Sequence, residues 1–351
     1  MEVEMPAGRR PRARAGSRLG WRRAQAALAP LLAAAWALGG PGAGAAAAAP
    51  EGSAFEFERN PGVRHAVPLE EIEKGIPRSD PRDAIPPLYA PRLVPAAEAG
   101  YLADGDRVLG LVLQGVARAY PIRLLERHEV VNDRFGDRPV VISYCPLCAS
   151  GTAFEGKVGG APARFGVSGY LYQSDLLLWD HRTESFWSQI EGRAVVGPAT
   201  GERLELLPVE NTTWGRWRAL HPRTEVLARE QGIYPPAVYE REAYPGYAQS
   251  ERIVFPVKHR SDRYPPKTIV AGVVIDGLAR CWPLPELERA AAASFADRVG
   301  ETAVRVHFDR QSGTVRVVGP AGEPLPVLRA FWFAWYTFHP RTEVWTAPAS
   351  R

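Results

Sequence analysis

The 351-residue chain is poor in sulfur, with three cysteines and two methionines. Three thiols cannot build a disulfide-dense miniprotein, so the fold must rest on a core. Only four of its 43 basic residues are lysines, a compositional bias to which no function attaches. After residue 50 no apolar run reaches the roughly 20 residues of a membrane span. A P-loop, a Rossmann glycine fingerprint, a nucleophile elbow and an HExxH motif are all missing, so no nucleotide cofactor is indicated. What is present is ordinary for a globular protein: 46% hydrophobic and 23% charged residues, with 33 Gly and 33 Pro. These values exclude disorder and collagen-like repeats, and the length suits one large or two modest domains.

The formal charge of +4 suggests a polyanionic partner until its distribution is read. Residues 1–50 hold seven arginines and two glutamates. The remainder keeps 36 of the 43 basic and 37 of the 39 acidic residues, a balance of −1. There is therefore no electrostatic case for nucleic acid. The arginines precede an apolar stretch at about 26–38, interrupted by Pro30, and a small-residue tract ending near Ala49 and Pro50. Positive, apolar and small-residue regions in that order predict a secretory signal and a periplasmic or extracytoplasmic protein. No cysteine follows, so lipoprotein processing is not expected, and Sec and Tat export both stay open. The chain is not expected to be an integral membrane protein unless this segment remains uncleaved as an anchor.

The chain also resembles itself. Residues 108–121 match 270–283 at an offset of 162, and residues 221–226 (HPRTEV) recur letter for letter at 339–344. Ser150-Gly-Thr pairs with Ser312-Gly-Thr at the first offset, whereas Asp133 and Arg134 match Asp297 and Arg298 better at 164. The later offset is 118, so the first copy holds a net 44 extra residues between Thr152 and Trp214. Collinear matches of this kind predict two related units, 104–228 and 266–347, from an internal duplication. Residues 51–103 read as an extended Pro-rich lead-in and 229–265 as a connector. Apolar runs at 109–113 and 271–275, each followed by a Gln-Gly or Asp-Gly turn, predict hairpins. Pro121 and Pro283 then open short helices, 122–128 and 284–295. Aromatic helices follow at 213–220 and 331–338, before Pro222 and Pro340. The expected class is β-rich α+β, two hairpin-rich units with a 44-residue insertion in the first.

Residues in both copies are candidates for the scaffold, and those in one copy for chemistry. His221 and His339 fall in the first group and are expected to close helix termini. Cys145-Pro-Leu-Cys148 has no counterpart. A Cys-Pro-x-Cys turn between strands resembles a zinc knuckle, whose tight turn aims two thiolates at one metal. A redox dithiol and a small structural disulfide remain open beside it. The only other thiol, Cys281, stands alone. His128, at the end of the first helix, is the best additional metal candidate for a site suited to Zn or Cu. It could equally complete a helix C-terminus, with Glu129 and Asp133 as its supports or as surface charges. In the insertion, Tyr172, Asp175, Asp180 and Trp187 form a polar–aromatic group able to line a cleft, or else serve as turn and core residues. Expected partners are a small molecule, a metal ion or an envelope component. The two chemical readings are a metal-binding protein and a cysteine-dependent envelope enzyme with Cys145 catalytic. A non-catalytic binding module is the third.

Several blocks resemble the prokaryotic family named domain of unknown function 3179: HEVVND (128–133), SYCPLC (143–148), FGVSGYLY (165–172), DHRTESFWSQ (180–189), TWGRW (213–217) and FWFAW (331–335). The resemblance spans most of 100–345 and implies no particular reaction. It also implies Gly after the second cysteine, where this chain has Ala149.

Overall fold

The computed structural model describes residues 52–348, so the stretch read as an export signal lies outside the described residues. The lead-in contributes two short strands, β1 (Ile72–Lys74) and β2 (Leu93–Pro95). The first segment runs β3 (Arg107–Leu113), β4 (Val116–Pro121), α1 (Ile122–His128), β5 (Val130–Phe135), β6 (Arg138–Cys145) and β7 (Ser150–Glu155). A ribbon, β8 (Lys157–Val158) and β9 (Ala161–Pro162), leads into β10 (Phe165–Tyr172), β11 (Asp175–Asp180), β12 (Phe186–Ser188) and β13 (Arg193–Val196). Next come β14 (Glu210–Thr213), α2 (Trp214–Leu220) and β15 (Glu225–Leu227). Beyond residue 265 the order is β16 (Ile269–Ile275), β17 (Leu278–Pro283), α3 (Leu284–Arg289), β18 (Ser294–Val299), β19 (Thr302–Asp309), β20 (Thr314–Val318), β21 (Leu328–Phe331), α4 (Trp332–Phe338) and β22 (Glu343–Val344).

The molecule is β-rich with few helices. Five sheets carry it, ordered β1-β10-β11-β12-β13, β14-β3-β4-β15-β2, β21-β16-β17-β22, β18-β19-β20 and β5-β6-β7. Sheets meet where β10 approaches β5, β7 approaches β21 and β20 approaches β14. The lead-in supplies sheet edges and core: Ala54, Phe57 and Ile72 pack with Trp179 and Phe186.

The hairpins form where the sequence places them, because Gln114-Gly115 and Asp276-Gly277 both adopt the left-handed backbone that a two-residue turn needs. In β3 and β16 the burial pattern is the same, residue for residue. Gly110 and Gly272 lie under indoles, and a Cβ on either would stand 2.3 Å from Trp217 or Trp335. Those indoles donate to Thr224 and Thr342, each at 3.0 Å. Arg118 joins Asp133 and Glu225, both at 2.9 Å, while Tyr120 donates to Asp133. Arg280 likewise joins Asp297 at 2.8 Å and Glu343 at 2.7 Å, with Trp282 donating to Asp297.

Two expectations are corrected. The helix expected over 284–295 stops at Arg289, because Ala290 is extended and 294–299 pairs with β19. Sheet pairing outweighs the helical preference of the alanine run, a weak preference beside tertiary contacts. The Ser-Gly-Thr match also slips by two. Cys145 pairs with Ser150 as Asp309 pairs with Thr314, so these hairpins correspond at 164.

Candidate functional site

The cysteine turn closes the hairpin of β6 and β7. The Cys148 N–H donates to the Cys145 carbonyl at 3.2 Å, and Ala149 completes the turn at φ 51°. That conformation favours glycine and costs an alanine on the order of 1 kcal/mol. The loop is pinned from outside: Phe331 N–H donates to the Cys148 carbonyl at 2.8 Å, and the Tyr247 hydroxyl to the Leu147 carbonyl at 3.1 Å.

Opposite stands the turn between β10 and β11. Its residues, Gln173 and Ser174, have φ 54° and 64°, a strained pair without glycine. The Gln173 side chain holds it there, donating to Glu71 at 2.7 Å and accepting from Thr337 at 3.0 Å. This turn delivers Asp175 to the cysteines. One oxygen of Asp175 and the two sulfurs all lie within 4.8 Å of one another. Both cysteines are buried free thiols, and Cys148 Sγ donates to the Ser174 carbonyl at 3.3 Å. Asp175 Oδ2 accepts from Ile190 N–H at 3.0 Å, while its Oδ1 is buried without a hydrogen-bond partner among the described residues.

Burial governs the electrostatics. It pushes the Asp175 carboxyl up to about 7 and both thiols above their usual range. Glu129, buried at the end of α1, is pushed up to about 8 by burial and then by the charge of Asp175. Near neutrality the thiols and Glu129 are therefore mostly protonated, while Asp175 is divided between its two forms. A cation stands beside the group. Lys267 Nζ lies 3.1 Å from the Tyr247 ring centre, with Phe331 at 5.1 Å and Phe333 at 5.4 Å. Burial lowers this amine to about 7, and Cys148 favours its charged form.

The other candidates lie elsewhere. His128 uses both ring nitrogens, Nδ1 with the Pro86 carbonyl and Nε2 with the Tyr239 hydroxyl, each at 2.7 Å. Burial lowers it to about 4, so near pH 7 it is neutral at its helix terminus. The structure does not bring it to the thiols; Asp175 is the third member. Asp180 closes its own hairpin, accepting from Thr183 N–H at 2.6 Å and Trp187 Nε1 at 2.8 Å, and Trp187 is core. Tyr172 packs beside Phe338. Cys281 is a buried thiol of β17 outside the group. Asp133 serves the Arg118 pair instead. His221 and His339 follow their helices and pack on Trp217 and Trp335. Sequence reasoning missed Lys267 and left Glu129 undecided. A usable signal for Lys267 was its rarity, one of four lysines in an arginine-rich chain.

No curated protein and no solved structure matches the chain. A family model described as protein of unknown function (DUF3179) matches residues 82–321, from within the lead-in to just short of β21. The match spans the cysteine turn, Asp175 and Lys267, and by it the chain belongs to the DUF3179 family.

Proposed function

We propose that this chain is an exported metal-binding protein that takes Zn²⁺ or copper through Cys145, Cys148 and Asp175. The observation that carries the reading is the buried grouping of two sulfurs and a carboxylate oxygen within 4.8 Å. Two thiolates about 2.3 Å from a tetrahedral zinc stand about 3.8 Å apart, so little movement is needed. Thiolate donors select zinc and copper over hard cations. Two buried thiols that are protonated when alone and anionic around a cation, beside a carboxyl that gives up its proton near neutrality, suit the same role. Glu129 is the nearby candidate for a further ligand, and a position left open would admit a small molecule. The lone basic stretch at the N-terminus supports export. The recurrent order of strands and helices, with its matched Gly–Trp and Arg–Asp contacts, supports a duplication with β8–β13 inserted in the first copy.

Metal analysis of the purified protein tests the site. We expect about one equivalent in the wild type, loss in Cys145→Ser/Cys148→Ser, and at least about tenfold weaker binding in Asp175→Asn. Affinity should fall with pH, because loading releases thiol protons. Equal and negligible metal in all three proteins overturns the reading. A dithiol enzyme is the second reading, supported by two free sulfurs so close together. It requires fast, selective alkylation of Cys145 at neutral pH, against which the raised thiols argue. If the cysteines prove dispensable on both counts, a binding module built on the aromatic insertion is what remains.

A further inference from the structure

Neither the lead-in nor the run β8–β13 has a match in the sequence beyond residue 265. The two meet where residues 81–83 cross β10. The Asp83 N–H donates to the Val167 carbonyl at 2.9 Å. Asp83 Oδ1 accepts the Val167 N–H at 2.9 Å and the Trp179 indole N–H at 3.0 Å. Gly166 leaves room for that carboxylate, since a Cβ there would collide with Oδ1 and with the indole nitrogen. Asp83 itself sits at φ 49°, a costly backbone conformation for a residue with a side chain. The fold thus fixes one oxygen of Asp83 and leaves Oδ2 for another purpose.

The Tyr89 hydroxyl donates to Asp83 Oδ2, and its oxygen lies 2.7 Å from His181 Nε2. His181 Nε2 stands 3.9 Å from Asp83 Oδ2, which closes a triangle of three donor atoms. The indole that orients Asp83 also holds His181, whose ring stacks on Trp179 at 4.2 Å and 16°. The His181 N–H donates to the Arg164 carbonyl at 3.0 Å, and the Tyr89 ring packs edge-on against the imidazole at 5.0 Å. The His181 and Asp83 side chains are 34% and 25% exposed, so the triangle is open to solvent. Of the cations around it, Arg82 pairs with Asp80 at 2.7 Å and Glu184 at 3.2 Å, and Arg164 stands 6.0 Å from the Tyr89 ring centre. Burial and the charge of Asp83 raise the phenol above its usual range, so only a strongly polarising cation removes its proton.

We propose that Asp83, Tyr89 and His181 bind ferric iron, which takes the place of the protons that now join them. A carboxylate and a phenolate are hard anionic oxygens, and imidazole suits iron. Donors about 2.1 Å from a six-coordinate cation stand about 3–4 Å apart, so small shifts suffice. Loading sends the phenol proton to solvent and leaves His181 protonated at Nδ1, with the Nε2 lone pair on the metal. The remaining positions face solvent. The site shares no residue with the cysteine group and does not depend on the metal reading made there.

The test adds ferric nitrilotriacetate to the purified full chain and follows visible absorption. Phenolate-to-iron charge transfer gives a visible band that carboxylate and imidazole ligands do not, and resonance Raman excited in that band shows tyrosinate ring vibrations. We expect the band to saturate at about one equivalent per chain. Tyr89→Phe should abolish it, and His181→Gln should weaken iron binding by at least about tenfold. If Tyr89→Phe does not fold, His181→Gln, at the solvent edge, is read in its place. Cys145→Ser/Cys148→Ser should keep the band. The proposal is overturned by no band in the wild type, a band without tyrosinate vibrations, an undiminished response in whichever variant is read, or a band lost with the cysteines.

Discussion

Gly110 and Gly272 show how one missing carbon fixes a packing mode. Each strand presents bare backbone to an indole, and an added methyl group would stand 2.3 Å from that ring. Gly110→Ala and Gly272→Ala should each cost about 2–3 kcal/mol by overpacking, read as a lower urea midpoint. Asp133→Ala should cost about 1–3 kcal/mol, because the buried Tyr120 hydroxyl and one arm of Arg118 lose their acceptor while Glu225 still pairs with that arginine. Asp297→Ala should do the same to Trp282 and Arg280, which keeps Glu343. These positions are legible in the amino-acid sequence, since each has its match in the other half of the chain. Glu129 and Lys267 are not. Charged residues default to the surface, and only the packing of distant segments shows that these two are enclosed. Asp175 is visible as a polar residue in the insertion, but nothing in the chain states that a turn folds it onto cysteines 27 to 30 positions earlier.

At the scale of elements, hairpins are legible because Gly-containing turns punctuate them, whereas the end of α3 is not, because a strand pairing decides it. Helix α1 carries a pH dependence. His128 titrates near 4 in the folded chain against 6.5 unfolded, so the unfolded chain binds more protons in that window. Stability is then full above about pH 6.5 and falls as pH drops toward 4, by up to about 3 kcal/mol. His128→Gln should flatten that limb of a plot of urea midpoint against pH. His339, also lowered to about 4, should keep part of the slope. A slope unchanged in the variant would remove His128 from the account.

For the whole molecule, the charge distribution carries a prediction of its own. If the N-terminal arginines and the apolar stretch are an export signal, the protein recovered from the cell envelope should begin near residue 50. N-terminal sequencing reads this directly, and a cytoplasmic protein beginning at residue 1 contradicts it. The fold adds a consequence for how the chain comes apart. Arg107 of β3 grips the Ser312 carbonyl, and Phe331 at the end of β21 grips the Cys148 carbonyl. Each half thus holds the other's hairpin loop by its backbone, like clasped hands. A protease cutting once within 229–265 should yield two fragments that travel together on a sizing column and part only in denaturant. Neither fragment made alone should fold. The cysteine turn would then report on the far half of the chain, since whatever moves Cys148 pulls on β21.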